Sequence, residues 1–490
     1  MLNLPFHLEG WQTFGLILEY TIKVVAVGVV PSNRKPSSAS AWLMAILFIP
    51  VVGWPAYFLM SGTYISRRRH RIQRDVNERI SNVNADLPDY PEDAQVGDEL
   101  ASIIKLNRKL TGTPATWSAV RGVYADYDAT IARMAEVIDE AEEFVHIEIY
   151  IVAWDDTTDV FFQACKRAVE RGVRVRLLFD HVGSWKYPGY RTLGRRLTAI
   201  GVDWHVMLPL QPWKLRFRRP DLRNHRKLLV VDNRVGFMGS QNMIDSSYLV
   251  GANKRLGRHW VDVMIEFEGP MVDSLERVFA ADWLMETNQR LVQETGNRAS
   301  ASDGNVVQLV PSGPGYNTEP NRRMFTSLVH HAKEHLIVCS PYFIPDETLF
   351  DAITSACYRG VRVDLLVSEQ SDQFLVGHAQ SSYYSQLIEA GVTIHMYPAP
   401  YILHSKFVVT DPHLEEPIAA VGSSNLDMRS FGLNYEISVL AAHGDLPGHL
   451  AKLGQEYMDK STILTKEVWE RRSWARRYID NVCRLTSALQ

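Results

Sequence analysis

The chain has 490 residues, a net charge of −4, and 46% hydrophobic against 22% charged residues. Such a length exceeds one ordinary core and predicts two domains or a duplicated one, while the composition excludes a disordered chain. With no overall excess of positive charge, any attraction to anionic partners must come from local patches.

The chain opens with two apolar stretches, at about 11–30 and 42–60. The second contains no charged side chain and has about the length of a membrane span. Trp42, Trp54 and Tyr57 suit interface anchors there, and Pro50 and Pro55 predict a kink. The first carries Glu19 and Lys23, four residues apart, which on a helix pair on one face and lower the cost of insertion. An interfacial helix is the alternative for this first stretch. The first ten residues contain no Lys or Arg, so a cleaved signal peptide is not expected. Arg67, Arg68, Arg69, Arg71 and Arg74 follow the second stretch, against Arg34 and Lys35 between the two. The positive-inside rule then places everything after Arg67 in the cytoplasm.

Residues from about 75 to 115 are polar and acidic and read as a linker or a surface helix. Beyond them the chain repeats itself. Strand patterns at 144–152, 171–178 and 201–206 return at 335–340, 359–366 and 391–395, with helical stretches between. Gly172 and Gly360 stand 188 residues apart, and Gly201 and Gly391 stand 190 apart. A near-constant offset across matching patterns marks an internal duplication. Strands alternating with helices predict α/β domains with a largely buried sheet, the two copies packing with pseudo-twofold symmetry. The expected layout is 1–65 apolar hairpin, 66–115 linker, 116–298 first repeat, 299–318 linker, 319–460 second repeat and 461–490 basic amphipathic tail. The cysteines, Cys165, Cys339, Cys357 and Cys483, are far apart and form no CxxC pair. Neither a disulfide framework nor a zinc site is expected, which fits a reducing compartment.

Each repeat ends in the same constellation. The first has His225-x-Lys227, Asp232, then Gly239-Ser240-x-Asn242; the second has His404-x-Lys406, Asp411, then Gly422-Ser423-x-Asn425. Positions i and i+2 of a strand face the same side, so each His projects with its Lys, and the duplication brings both pairs to one cleft. Two imidazoles divide the work of nucleophile and general acid. Two ammonium groups and two Asn side chains suit non-bridging phosphoryl oxygens, with Ser240 and Ser423 as further donors. Asp262 and Glu436 follow the two motifs, and either can orient an imidazole and stabilise its cation. No carboxylate cluster of the kind that holds Mg²⁺ accompanies the motif, so metal-free phosphoryl transfer is the expectation. A lone His-x-Lys is more often structural. Two matched copies with the same sequel point to a shared task.

The doubled motif resembles the phospholipase D superfamily. The apolar hairpin, residues 340–346 and residues 424–436 resemble its cardiolipin synthase branch. That resemblance implies two tandem phospholipase D-like α/β repeats preceded by a two-helix transmembrane hairpin, in the inner cell membrane. It further implies a catalytic set of His225, Lys227, Asp232, His404, Lys406 and Asp411, and a substrate-binding set of Ser240, Asn242, Ser423, Asn425, Asp262 and Glu436. No cofactor and no metal are implied, and the substrate is phosphatidylglycerol. The implied reaction passes through a phosphatidyl-histidine, with His225 as nucleophile and His404 as general acid, although the symmetry of the motifs allows the reverse. A phospholipase D that hands its intermediate to water is the nearest alternative. A membrane-tethered nuclease is a further one, but no nucleic-acid partner is expected. Lys214, Arg216, Arg218, Arg219, Arg223 and Arg226, with Trp213 and Phe217, form a basic aromatic stretch suited to anionic headgroups or to a solvated loop. The tail, with Trp469, Arg471, Arg472, Trp474, Arg476 and Arg477, suits an amphipathic helix on a membrane or one packed on the catalytic domain.

Overall fold

The fold is described from a computed structural model, which covers residues 10–32, 36–60, 67–211, 216–217, 219–291, 304–316, 318–485 and 487. Short β-branched runs bounded by glycine turns dominate the repeats, and they form strands. In the first these are β1 (Thr116–Tyr124), β2 (Phe144–Ile149), β3 (Arg174–Asp180), β4 (Asp203–Met207), β5 (Lys227–Val231), β6 (Val235–Gly239) and β7 (Met264–Glu268). The second contains β8 (Asn305–Ser312), β9 (His335–Cys339), β10 (Arg362–Ser368), β11 (Thr393–Tyr397), β12 (Phe407–Thr410), β13 (Ile418–Gly422) and β14 (Asn434–Ala442).

Among the described residues these strands join one sixteen-stranded sheet. Its order is β11-β10-β9-β12-β13-β14-β8-β1-β7-β6-β5-β2-β3-β4, with Thr462–Ile463 on the β11 edge and Arg223–Asn224 paired to β14. The order reads the same outward from the central β8–β1 pair, which is the expected pseudo-twofold relation. In each copy the first three strands of the motif (β2-β3-β4 and β9-β10-β11) are parallel, and the remaining pairs along this order are antiparallel, while Arg223–Asn224 runs parallel to β14. Gly172 (φ +91°) and Gly360 (φ +92°) make the same left-handed turn into β3 and β10, a conformation that a Cβ disfavours.

Helices cover both faces. Two long ones, Pro270–Thr287 and Leu446–Lys460, lie over the middle of the sheet. Their core draws Phe267, Phe279 and Trp283 from the first repeat and Ile337, Phe407 and Val439 from the second. Each repeat adds a separate core on the other face. Burial of a large apolar side chain contributes about 1.5–3 kcal/mol. The shared core therefore binds the repeats to each other and fixes the seam where the two motifs meet.

The N-terminal part departs from expectation. Helices α1 (Gly10–Val29), α2 (Pro36–Phe48) and α3 (Pro50–Met60) precede the repeats. The expected span at 42–60 is not one helix, because the chain turns back at Ile49–Pro50. The rings of Trp42 and Tyr57 lie 5.8 Å apart, and a Cβ on Gly53 would sit 2.5 Å from the Ala45 carbonyl oxygen. Pro50 lacks the N–H that a continuous helix would use there. No helix among the described residues is long and apolar enough to cross a membrane.

The segment expected as a linker carries two helices. One, α4 (Arg67–Val83), docks through Arg69, whose guanidinium is fully buried against Glu286 (2.7 Å) and lies 5.7 Å from the Tyr435 ring centroid. The other is Asp98–Thr111, whose Ile103 and Ile104 join the core of the second repeat. Near the C-terminus, α5 (Phe374–Ser381) receives α7 (Trp474–Arg484), and the helix Tyr384–Ala390 receives α6 (Lys466–Glu470). Trp469 is buried beside Tyr384, and His378 Nδ1 meets Asp480 at 2.6 Å. The polar side of the tail thus packs on the second repeat.

Candidate active site

Two short parallel pairings create the seam between the repeats. Arg223–Asn224 runs beside Asn434–Tyr435, and Trp260–Val261 runs beside Ile402–Leu403. The His225 N–H donates to the Tyr435 carbonyl (2.9 Å), and the His404 N–H donates to the Val261 carbonyl (2.7 Å). In each case the next residue of the accepting strand is a carboxylate. The acids are therefore exchanged between repeats. His225 Nδ1 donates to Glu436 Oε1 (3.0 Å) and Oε2 (3.1 Å), and His404 Nδ1 donates to Asp262 Oδ1 (2.6 Å). Neither repeat alone contains an imidazole with its acid.

Both acids are fully buried, and a serine of each Gly-Ser-x-Asn segment fixes them. Ser240 Oγ donates to Asp262 (2.6 Å) and Ser423 Oγ donates to Glu436. These hydroxyls, expected to face a phosphoryl group, instead orient carboxylates. Burial pulls both histidines down to about 4, against the opposing attraction of Glu436 on His225 and of Asp262 on His404. Burial raises the acids, but His404 and Lys406 hold Asp262 down at about 2, and His225 and Lys227 hold Glu436 below its ordinary value. At neutral pH the site thus holds neutral imidazoles against ionised carboxylates. A carboxylate only accepts, so Nδ1 carries the proton and Nε2 presents its lone pair.

Lys227 and Lys406 are buried and donate to the carbonyls of His225 and His404. Burial depresses Lys227 well below its ordinary value, with Lys406 lowering it further, and burial depresses Lys406 to about 8. Two buried lysines, one of them crowded by the other, favour an incoming anion, which relieves the cost of burying the charge and the repulsion. A phosphodiester supplies one negative charge and two acceptor oxygens.

Besides the two serines, Asp232, Asp411 and Asn242 sit elsewhere or act differently. Asp232 accepts from the backbone N–H groups of Glu142, Glu143 and Phe144, and Asp411 accepts from those of Lys333, Glu334 and His335. Both lie at the far end of β5 and β12, five residues and roughly 16 Å from the lysines. They staple the starts of β2 and β9 and do not join the cleft. Asn242 donates to Tyr248 Oη (2.8 Å) and accepts from the Ile151 N–H, bracing two loops. Asn425 is buried at the seam with an Oδ1 that has no protein partner.

Within the basic stretch, Arg223 is buried against Asp180 (3.4 Å) and the Leu208 carbonyl, and Arg226 is buried against Asp282. These two serve the interior and not a headgroup. Arg219 is paired to Asp221. Residues 212–215 and 218, with Trp213, Lys214 and Arg218, lie outside the described residues, as do the side chains of Arg216 and Phe217.

Sequence reasoning missed Tyr150, whose ring meets His225 edge-on at 4.9 Å and lies 5.3 Å from Lys227 Nζ. Its signal was its place just beyond the carboxyl end of a motif strand. Reasoning also missed the stack behind the site, where Arg69 and Arg226 both approach the Tyr435 ring, at 5.7 and 5.5 Å. Arg69 comes from an arginine run that carries no such signal.

Comparison with known proteins agrees with this architecture. A family profile described as cardiolipin synthase, phospholipase D-like domain, matches residues 134–283 and 325–458. A phospholipase D-nuclease N-terminal profile matches residues 22–62. The cardiolipin synthases of Alkalihalophilus pseudofirmus and Halalkalibacterium halodurans are each 31% identical, over 98% of this chain and 95% of theirs. Cardiolipin synthase A of Proteus mirabilis is 30% identical over 98% of both chains. The crystal structure of a phosphatidylserine synthase from Haemophilus influenzae superposes with a TM-score of 0.58 at 12% identity, covering 79% of this chain and 99% of that one, which is a likeness of fold. With more than half of its length matched in two blocks that coincide with the two repeats, the chain belongs to the cardiolipin synthase family of phospholipase D-like proteins.

Proposed function

We propose that this chain is a cardiolipin synthase that moves a phosphatidyl group from one phosphatidylglycerol to another and releases glycerol. The observation that carries the reading is the pair of imidazoles held by exchanged carboxylates between two buried lysines. The phosphodiester of the first lipid enters between Lys227 and Lys406. The lone pair on His225 Nε2 attacks phosphorus, and the bond to the glycerol oxygen breaks. The site takes up a proton as the anion binds, and His404 Nε2–H gives it to the departing glycerol. Glu436 stabilises the cationic phosphatidyl-imidazolium through Nδ1–H. His404, now neutral, removes the proton from a hydroxyl of the second phosphatidylglycerol. That oxygen attacks phosphorus, the P–N bond breaks, and cardiolipin leaves with His225 restored.

In this reading the apolar segments of α1–α3 hold the enzyme at the cell membrane. The arginines from Arg67 onward place the repeats on its cytoplasmic side. The test is mass spectrometry of products from the purified full chain on phosphatidylglycerol liposomes, beside His225→Ala and His404→Ala. Cardiolipin with equal free glycerol, absent from both variants, is the expected result. Phosphatidic acid as the sole lipid product would replace the synthase with a hydrolase, and a reporter fused to the C-terminus that is active only outside would reverse the topology.

A further inference from the structure

The tail helix α7 is packed inside out. Its inward face carries Cys483 in the core but is otherwise polar: Asp480 meets His378 Nδ1 at 2.6 Å and accepts from Arg472 and Arg476 (3.3 Å), while Arg484 reaches Gln386 and the Tyr383 ring. Trp474, Tyr478, Val482 and Leu485 follow the spacing i, i+4, i+8, i+11 and so share one stripe. That stripe points outward. Trp474 is 80%, Tyr478 64% and Leu485 67% exposed. Nothing among the described residues covers it. Phe374 and Leu375 of α5, at 67% and 52% exposure, extend the apolar surface, and Phe374 stacks edge-on against His378 at 4.3 Å.

Two further observations say what covers this face. Lys466, Arg471 and Arg477 are exposed on or between α6 and α7, and Arg476 and Arg484 stay exposed while reaching inward, against exposed Glu467 and Glu470, so the rim of the stripe is cationic. The face also stands at the cleft end of the second repeat. Ser368 closes β10 there, its Oγ accepts from the Leu403 N–H beside His404, and α5 starts six residues later. An apolar stripe with a cationic rim beside a site for lipid phosphodiesters is complementary to an anionic bilayer surface.

We propose that the outward stripe of α7, together with Phe374 and Leu375, is a docking face that inserts shallowly into anionic lipid and sets the cleft against the membrane. The inference rests on the lipid-transferring reading above and adds a second membrane contact more than 400 residues after the apolar N-terminal helices. A second copy of the chain is the competing occupant.

The test uses the full chain in nanodiscs containing phosphatidylglycerol, in a Cys357→Ser background, with bimane attached at Tyr478→Cys or at Glu140→Cys. Cys165, Cys339 and Cys483 are buried, and Glu140 is exposed near the start of β2. The expected result is a blue shift and at least twofold quenching by bromine-labelled acyl chains at position 478, with neither at 140. Trp474→Ser with Val482→Ser is expected to reduce cardiolipin output from discs several-fold while leaving kcat on a short-chain soluble phosphatidylglycerol unchanged. Absence of quenching at 478 overturns the proposal, as does a blue shift that follows protein concentration and ignores bromine, the signature of a second copy. An unquenched label in a preparation that still makes cardiolipin removes the docking face alone. A quenched label without cardiolipin supports the docking face and removes the synthase reading.

Discussion

In the proposed mechanism the exchanged carboxylates have different duties, and leaving-group chemistry separates them. Glu436, beside His225, would support the imidazole that becomes covalently cationic, and Asp262, beside His404, the one that donates a proton. Replacing either by its amide removes a charge from a fully buried hydrogen bond, at 3.0 Å for Glu436 and 2.6 Å for Asp262. A hydrogen bond to a charged group is worth about 1.5–3 kcal/mol, hence about a 10- to 150-fold loss of rate. On phosphatidylglycerol both Glu436→Gln and Asp262→Asn should fall in that range. A nitrophenyl ester of phosphatidic acid, whose leaving group needs no proton, should distinguish them. Measured as the burst of nitrophenolate in stopped flow, Asp262→Asn and His404→Ala should recover to within a few-fold of the parent, whereas Glu436→Gln should stay slow. Recovery of Glu436→Gln with persistent loss in Asp262→Asn would exchange the roles of the two histidines. A normal burst in every variant would refute any catalytic contribution from the carboxylates.

Three other outcomes follow from the same geometry. Asp411→Ala should lower stability by about 3 kcal/mol, since three backbone N–H groups lose a charged acceptor, while kcat per folded molecule survives; thermal unfolding beside an active-site titration checks both. Burial depresses Lys406 to about 8, so its charge is lost as pH rises through that value. Affinity for a short-chain phosphatidylglycerol should therefore weaken towards tenfold per pH unit above 8, and calorimetry that finds it flat to pH 9.5 would contradict the placement of that charge. Arg69→Met should cost about 3–5 kcal/mol by leaving Glu286 buried and uncompensated, and Arg69→Met with Glu286→Leu should recover most of it in chemical denaturation.

The repeated α/β layout was legible because periodicity and turn glycines act locally. The strands begin and end within about three residues of the patterns around Gly172, Gly201, Gly360 and Gly391. The paired histidines and lysines were legible because duplication weighs against coincidence. Their acids were visible as types, and only the fold shows the exchange, since no spacing along a chain reports which strand crosses a seam. Asp232 and Asp411 mislead because a carboxylate stapling three amides is as regular in sequence as one at a cleft. The turn at Ile49–Pro50 had a local sign in the proline, but a kink and a reversal differ only in packing, here that of Trp42 on Tyr57. Arg69 left no trace, because its burial depends on Glu286 and Tyr435, each more than 200 residues away.

The traded acids also bear on ancestry. A homodimer of one repeat would be obliged to set the same carboxylate against both imidazoles, because its two halves are copies by construction. Once both halves share a chain, each half of the bargain mutates independently. An aspartate now backs one histidine and a glutamate the other, and one flank alone gained an arginine from the N-terminal helix. A single chain thus allows the two bases to differ, which two identical halves could not.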